Sequence, residues 1–216
     1  MSSPSHAPTL VNRFQRLVFR ICRRLPVDDF DVRAMFPAGD EADRATGRIT
    51  AALTLIREAA PIRYACLRRD LPQILIGATH NLGECHYPTR MCVLAFDYVV
   101  AADTTPEDLA LTLVHEGTHA RLARAGFEFD EHLRARIERL CIATEILLAR
   151  RLENAHTLLS DAQARLATNT DARWTNEAML QRRLHALRGL GAVGRVAYWL
   201  GRAMTPFARA RWRRAA

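Results

Sequence analysis

Residues 105–126, TPEDLALTLVHEGTHARLARAG, leave little choice of local structure. Thr105 has the chemistry of an N-cap, and Pro106 follows at the first helical position, where its missing N–H costs nothing. Asp108 stands three residues on, in the place that Glu takes in a capping box. Gly126 falls where a left-handed C-cap belongs. The spacing therefore predicts one helix over 106–125, and the rest of the chain must pack around it. His115 and His119 are four apart, so they share a face, about 6 Å apart at Cβ. Glu116 is turned from them by about 100°.

Two imidazoles on one face can converge on a single metal ion. A carboxylate turned aside would flank that metal without ligating it, where a general base takes a proton from water. Composition alone predicts roughly 0.015 such His-Glu-x-x-His matches in a chain of this make-up. The other reading is a helix carrying two solvated or core histidines. The five residues HEGTH resemble the metal-binding helix of the zincin metallopeptidases. The metzincin continuation would need Gly at 122 and His or Asp at 125, where this chain has Leu122 and Ala125. The resemblance is to the gluzincins, which take a third ligand, a Glu, from the next helix about twenty residues on. That implies zinc held by His115, His119 and Glu138, with Glu116 as catalytic base. Glu145 is the second choice for third ligand and Glu131 the third. For both of these a solvated face paired with arginines is the preferred reading. Cys141, one turn after Glu138, is expected in the core.

The resemblance also implies a fold: α+β, a minimal zincin-like core of helix, small three-stranded sheet, metal helix and glutamate helix, with an extra helical C-terminal part. The elements agree in order. Helices are expected over 10–25 and 41–60, then strands at 62–67, 73–79 and 91–100, then the two site helices, the second with Asp130 as N-cap. In that family the strand before the metal helix lies at the sheet edge and pairs with an extended substrate. Residues 91–100 would hold that place, with 80–90 as a rim loop. Domains are expected at 1–27 (a basic arm), 28–168 (the core) and 169–216 (a basic amphipathic region).

Charge divides the same way. All 31 basic residues are arginine; five lie in 1–27 and nine in 181–216, with no acid in either segment. The segment between holds all 23 acids against seventeen arginines. The C-terminal segment carries Leu187, Leu190, Val193, Ala197, Leu200 and Met204 on one face and Arg188, Arg195 and Arg202 on another. It reads as a helix docked on the domain, or as a surface for peripheral contact with anionic membrane. Its charge suits phosphate, but no nucleic-acid motif accompanies it, so no specific nucleic acid is expected. Five cysteines without regular spacing argue against a disulfide framework and for a reducing, cytoplasmic setting. No run of eighteen apolar residues predicts a membrane span. Cys85, His86 and Cys92 fit no common zinc spacing, and the two thiols are expected to be reduced. His156, His185 and Tyr198 are candidates to steady an oxyanion, and the sequence does not choose among them.

The expected activity is a zinc-dependent hydrolase, a metallopeptidase acting on peptide or protein substrates. The alternative is a non-catalytic zincin-like scaffold acting through its basic helices.

Overall fold

Three aliphatic strands run parallel through the middle of a mixed five-stranded sheet. They are β2 (Asp31–Ala34), β3 (Gln73–Gly77) and β5 (Met91–Ala95). β1 (Arg23–Leu25) and β4 (Gly83–His86) pair antiparallel at the two edges, giving the order β1-β2-β3-β5-β4. The computed structural model describes residues 10–27, 29–35, 39–77, 79, 81–127 and 129–181. It divides into two units, Met1–Asn169 and Thr170–Ala216. The sheet and all the helices named below lie in the first; the described part of the second begins with a short 3-10 turn, Asp171–Trp174.

The period of two in the strands sorts their side chains to two faces. Val32, Ile74, Ile76, Cys92 and Leu94 join one cluster with Ile49, Leu53 and Ile56 of α2 (Asp40–Ala59) and Leu109 and Leu113 of α5 (Pro106–Arg124). Leu75, Met91 and Val93 point the other way, onto Phe19 of α1 (Leu10–Ile21). Arg33, on that same face of β2, stacks over the Phe19 ring at 5.0 Å. The expected basic arm thus supplies a helix and a strand to this sheet. Each fully buried aliphatic side chain contributes about 1.5–3 kcal/mol.

The class is α+β, with five strands where the sequence reading has three. Residues 62–67, expected as a strand, lie inside helix α3 (Pro61–Asp70). Pro61 sits at the first helical position after Ala60, so it both ends α2 and starts α3. Burial then recurs at Tyr64, Leu67 and Leu71, a helical spacing, while Ile62 is 80% exposed. The expected strand 91–100 stops at Ala95, and Phe96–Val100 turns into the short helix α4. β5 is internal rather than at the edge. The edge beside α5 is β4, cut from the segment expected as a rim loop.

The helix predicted over 106–125 forms as α5. Thr105 Oγ1 accepts from the Asp108 N–H at 3.2 Å, and Asp108 accepts from the Thr105 N–H at 2.9 Å. At the far end Gly126 has φ 87°, the Phe127 N–H reaches the Leu122 carbonyl and the Gly126 N–H reaches that of Ala123. This is a Schellman turn, and Gly tolerates its left-handed residue without strain. It folds the chain back into α6 (Glu131–Ala149), with Asp130 at the N-cap position, and α7 (His156–Ala167) then packs Ala162 against Ile142 and Ile146. No helix among the described residues is long and apolar enough to cross a membrane. The expected amphipathic face of the C-terminal segment lies outside the described residues.

Asp70 ties α3 to α5. It is 1% exposed and bonded to Arg69 Nε and Arg124 Nε, both at 2.9 Å. Burial alone would raise its pKa, but the two guanidinium groups outweigh it and hold the carboxyl below the usual range. A depressed carboxylate stabilises the fold above its unfolded-state pKa, and that contribution is lost as pH falls through the folded-state value. Asp70→Asn should therefore cost about 2 kcal/mol near neutral pH. It should also shrink the stability lost between neutral and acid. Urea unfolding at several pH values checks both.

Candidate metal centre

α5 and α6 pack against each other, and the side chains of the site meet near the middle of each helix. His115 and His119 come from α5. From α6 come Glu138, Cys141 and Glu145, spaced i, i+3 and i+7, which is one face of a helix. The two Nε2 atoms of the histidines are 3.2 Å apart. Each faces an oxygen of Glu138 at 3.4 Å, His115 toward Oε2 and His119 toward Oε1. Both imidazoles are 15% exposed, and Glu138 is buried.

These separations test whether a metal fits. Ligands of a tetrahedral zinc with bonds of about 2.0–2.1 Å stand about 3.3 Å from one another. The nearest donor pairs here stand 3.2–3.4 Å apart, through both oxygens of Glu138. The donor chemistry agrees, since imidazole nitrogen and carboxylate oxygen suit zinc. Four lone-pair-bearing atoms this close need a positive centre among them. Burial would push the His115 imidazole down, but its bonds to Glu138 and Glu145, with the Glu116 and Glu145 charges nearby, raise it to about 10. Glu138 shows the converse: burial would raise it, and the two histidines hold it down to about 2.

Glu145 departs from the expected solvated face. It is 3% exposed and accepts from His115 Nδ1–H at 2.5 Å. Its other oxygen is paired with Arg165 of α7. A ligand histidine commonly donates its second ring N–H to a carboxylate, which fixes the tautomer and aims the free nitrogen at the metal. Glu145 does this for His115, leaving Nε2 toward Glu138. On His119 the ring edge meets Phe129, centroids 5.3 Å apart. Cys141 is fully buried, and its sulfur and one nitrogen of each histidine all lie within 4.8 Å of one another. Burial and the neighbouring carboxylates push its thiol well up.

The chain matches no family model, no curated protein and no solved structure. The resemblance to the zincins therefore rests on the helix motif alone.

Glu116 is 7% exposed and points toward β4. A Cβ placed on Gly83 would lie 3.1 Å from Glu116 Cγ and 2.8 Å from Thr112 Cγ2. Only glycine lets the edge strand come so close to the helix face. The Glu116 carboxylate has no hydrogen-bond or ion-pair partner among the described residues. The other candidates lie elsewhere. Glu131 and His156 are exposed at the starts of α6 and α7, and His185 and Tyr198 fall outside the described residues. Cys85 and Cys92 are free thiols directly opposed across β4 and β5. His86 Nδ1 accepts from Gln15 Nε2 of α1 at 2.8 Å and makes no metal cluster with them among the described residues. Arg165 gave no sequence signal. Glu145 and Cys141 did, through their i+7 and i+3 spacing from Glu138.

Proposed function

We propose that the protein is a zinc-dependent hydrolase of peptide bonds. His115, His119 and Glu138 would hold the metal, and Glu116 would act as base. The observation that carries this reading is the approach of His115, His119 and Glu138, with a carboxylate on the adjacent residue that has no partner among the described residues. A zinc held there would supply a Lewis acid and an acidified water near neutral pH. The chain's own residues do the rest. Glu145 and Arg165 fix the His115 ring. Glu116, kept from other partners, takes a proton at its carboxylate and returns it to the leaving nitrogen. β4, with its outer edge unpaired in the sheet order, is the place for an extended peptide to add as a further strand.

One observation favours a second reading. If the Cys141 sulfur joins the two histidines and Glu138, the zinc has four protein ligands and no open position. The protein would then be the non-catalytic scaffold.

Zinc titration tests the centre. Because His115 holds a proton up to about 10 without metal, zinc must displace it. Affinity should rise about tenfold per pH unit below that value, with one proton released per zinc. Calorimetry in two buffers of different ionisation heat counts that proton. His115→Ala and His119→Ala should each abolish binding. Zinc affinity that does not change with pH, or full zinc retention in both variants, would place the metal elsewhere.

A further inference from the structure

A cavity of about 460 Å³ opens beside the N-terminal half of α5, and no arginine lines it although the chain has 31 basic residues and a formal net charge of +8. Three carboxylates, Asp97, Asp103 and Asp108, face it instead. Asp108 is engaged with Thr105 in the helix cap. Asp97 and Asp103 have no ion-pair or hydrogen-bond partner among the described residues. Thr104 also lines the cavity; it is 8% exposed, and its hydroxyl has no hydrogen-bond partner among the described residues. No buried side-chain oxygen among the described residues lacks a partner, so this hydroxyl keeps access to solvent and is open to a group that enters the cavity.

The cavity and the candidate site share helix α5, which supplies Asp108 to the one and His115, Glu116 and His119 to the other. Asp108, Thr112 and Glu116 are spaced by four and lie on one face of α5. Tyr98, another wall residue, bonds Thr112 Oγ1 at 3.0 Å through its hydroxyl. Thr112 and Glu116 both press on Gly83, the first residue of β4, and Leu82 just before it lines the cavity. At 1.5 Å rise per residue, Asp108, the wall residue that α5 supplies, lies about 12 Å from Glu116 along the helix. A peptide paired antiparallel to β4 has its C-terminal part at the β4 N-terminus. At about 3.3 Å per residue, the cavity takes a side chain within about four positions of the cleaved bond, on its C-terminal side.

We infer that this cavity is a specificity subsite for a basic side chain, arginine or lysine, of the peptide substrate. The inference rests on the peptidase reading for its direction and register, and on the cavity itself for the charge. Asp97 and Asp103 would accept from the cationic head, and the Thr104 hydroxyl would accept a further N–H. An acidic side chain would meet three carboxylates.

Binding and cleavage are to be read separately. Zinc-loaded Glu116→Gln protein is titrated with two acetylated alanine pentapeptide amides that differ only in one arginine or one glutamine. The arginine peptide should bind roughly tenfold tighter, the gap should narrow with added salt, and it should vanish in protein that also carries Asp97→Asn and Asp103→Asn with unchanged melting temperature. Equal binding of the two peptides, no binding of either, or a gap that survives the double change would overturn the subsite. A peptide library digested by the wild-type protein reads the other claim. Arginine-selective binding with no cleavage counts against the hydrolase and leaves the subsite standing; cleavage with no basic preference does the reverse.

Discussion

Glu116→Gln should cut peptide hydrolysis by about 10²–10⁴-fold while leaving zinc content and melting temperature near those of the wild type. The change keeps the size of the side chain and removes its proton-accepting oxygen. It removes no ligand, because Glu116 packs against Gly83 and makes no bond to His115, His119 or Glu138. The neighbours also argue for a clean result. Glu116 has no partner among the described residues, so no pair is broken and no cation is left unpaired. A variant that cleaves as fast as the wild type would remove Glu116 from the chemistry. A wild-type protein that holds zinc yet cuts nothing in a broad peptide library would shift the weight to the closed, four-ligand reading.

Changes on α6 should separate three roles. Glu138→Gln removes an anionic oxygen that faces both histidines, so it should weaken zinc by more than the ~10–100-fold that outer partners are worth. Glu145→Gln should fall within that ~10–100-fold range. It weakens the acceptor on His115 Nδ1 and leaves the Arg165 guanidinium without its carboxylate. Cys141→Ser decides whether the site is open. Unchanged zinc affinity keeps Cys141 as a packing residue. A loss as large as that of Glu138→Gln would make it a fourth ligand and exclude the hydrolytic role. Competition with a chromogenic chelator gives all three affinities.

The helix with the histidines was legible because its signals are local: Thr105, Pro106, Asp108 and Gly126 each act on their own turn. The strands were harder. Residues 62–67 are apolar enough for a strand, and only Pro61 and the buried spacing of Tyr64 and Leu67 mark the helix. β4 reads as a loop because its four residues, GECH, are half-buried and carry no alternating apolar pattern. It becomes a strand by pairing with β5, which no single segment can announce. At the site, the position of Glu138 followed from spacing, but the burial of Glu145 did not. Its arginine partner, Arg165, comes from another helix twenty residues on, which no local spacing marks.

The shortness of β4 has a consequence for selectivity. An antiparallel partner exchanges its backbone bonds with every second residue, so four residues offer a peptide about four hydrogen bonds. At about 0.5–1.5 kcal/mol each, these sum to about 2–6 kcal/mol, short of the roughly 4–8 kcal/mol lost in ordering four residues of peptide backbone. Backbone recognition alone would therefore leave an arbitrary sequence almost unbound. A peptidase with this rim discriminates by side chain and suits processing at chosen sequences better than general degradation. The same brevity protects the fold: four residues carrying Glu84 give the edge of another sheet too little to grip.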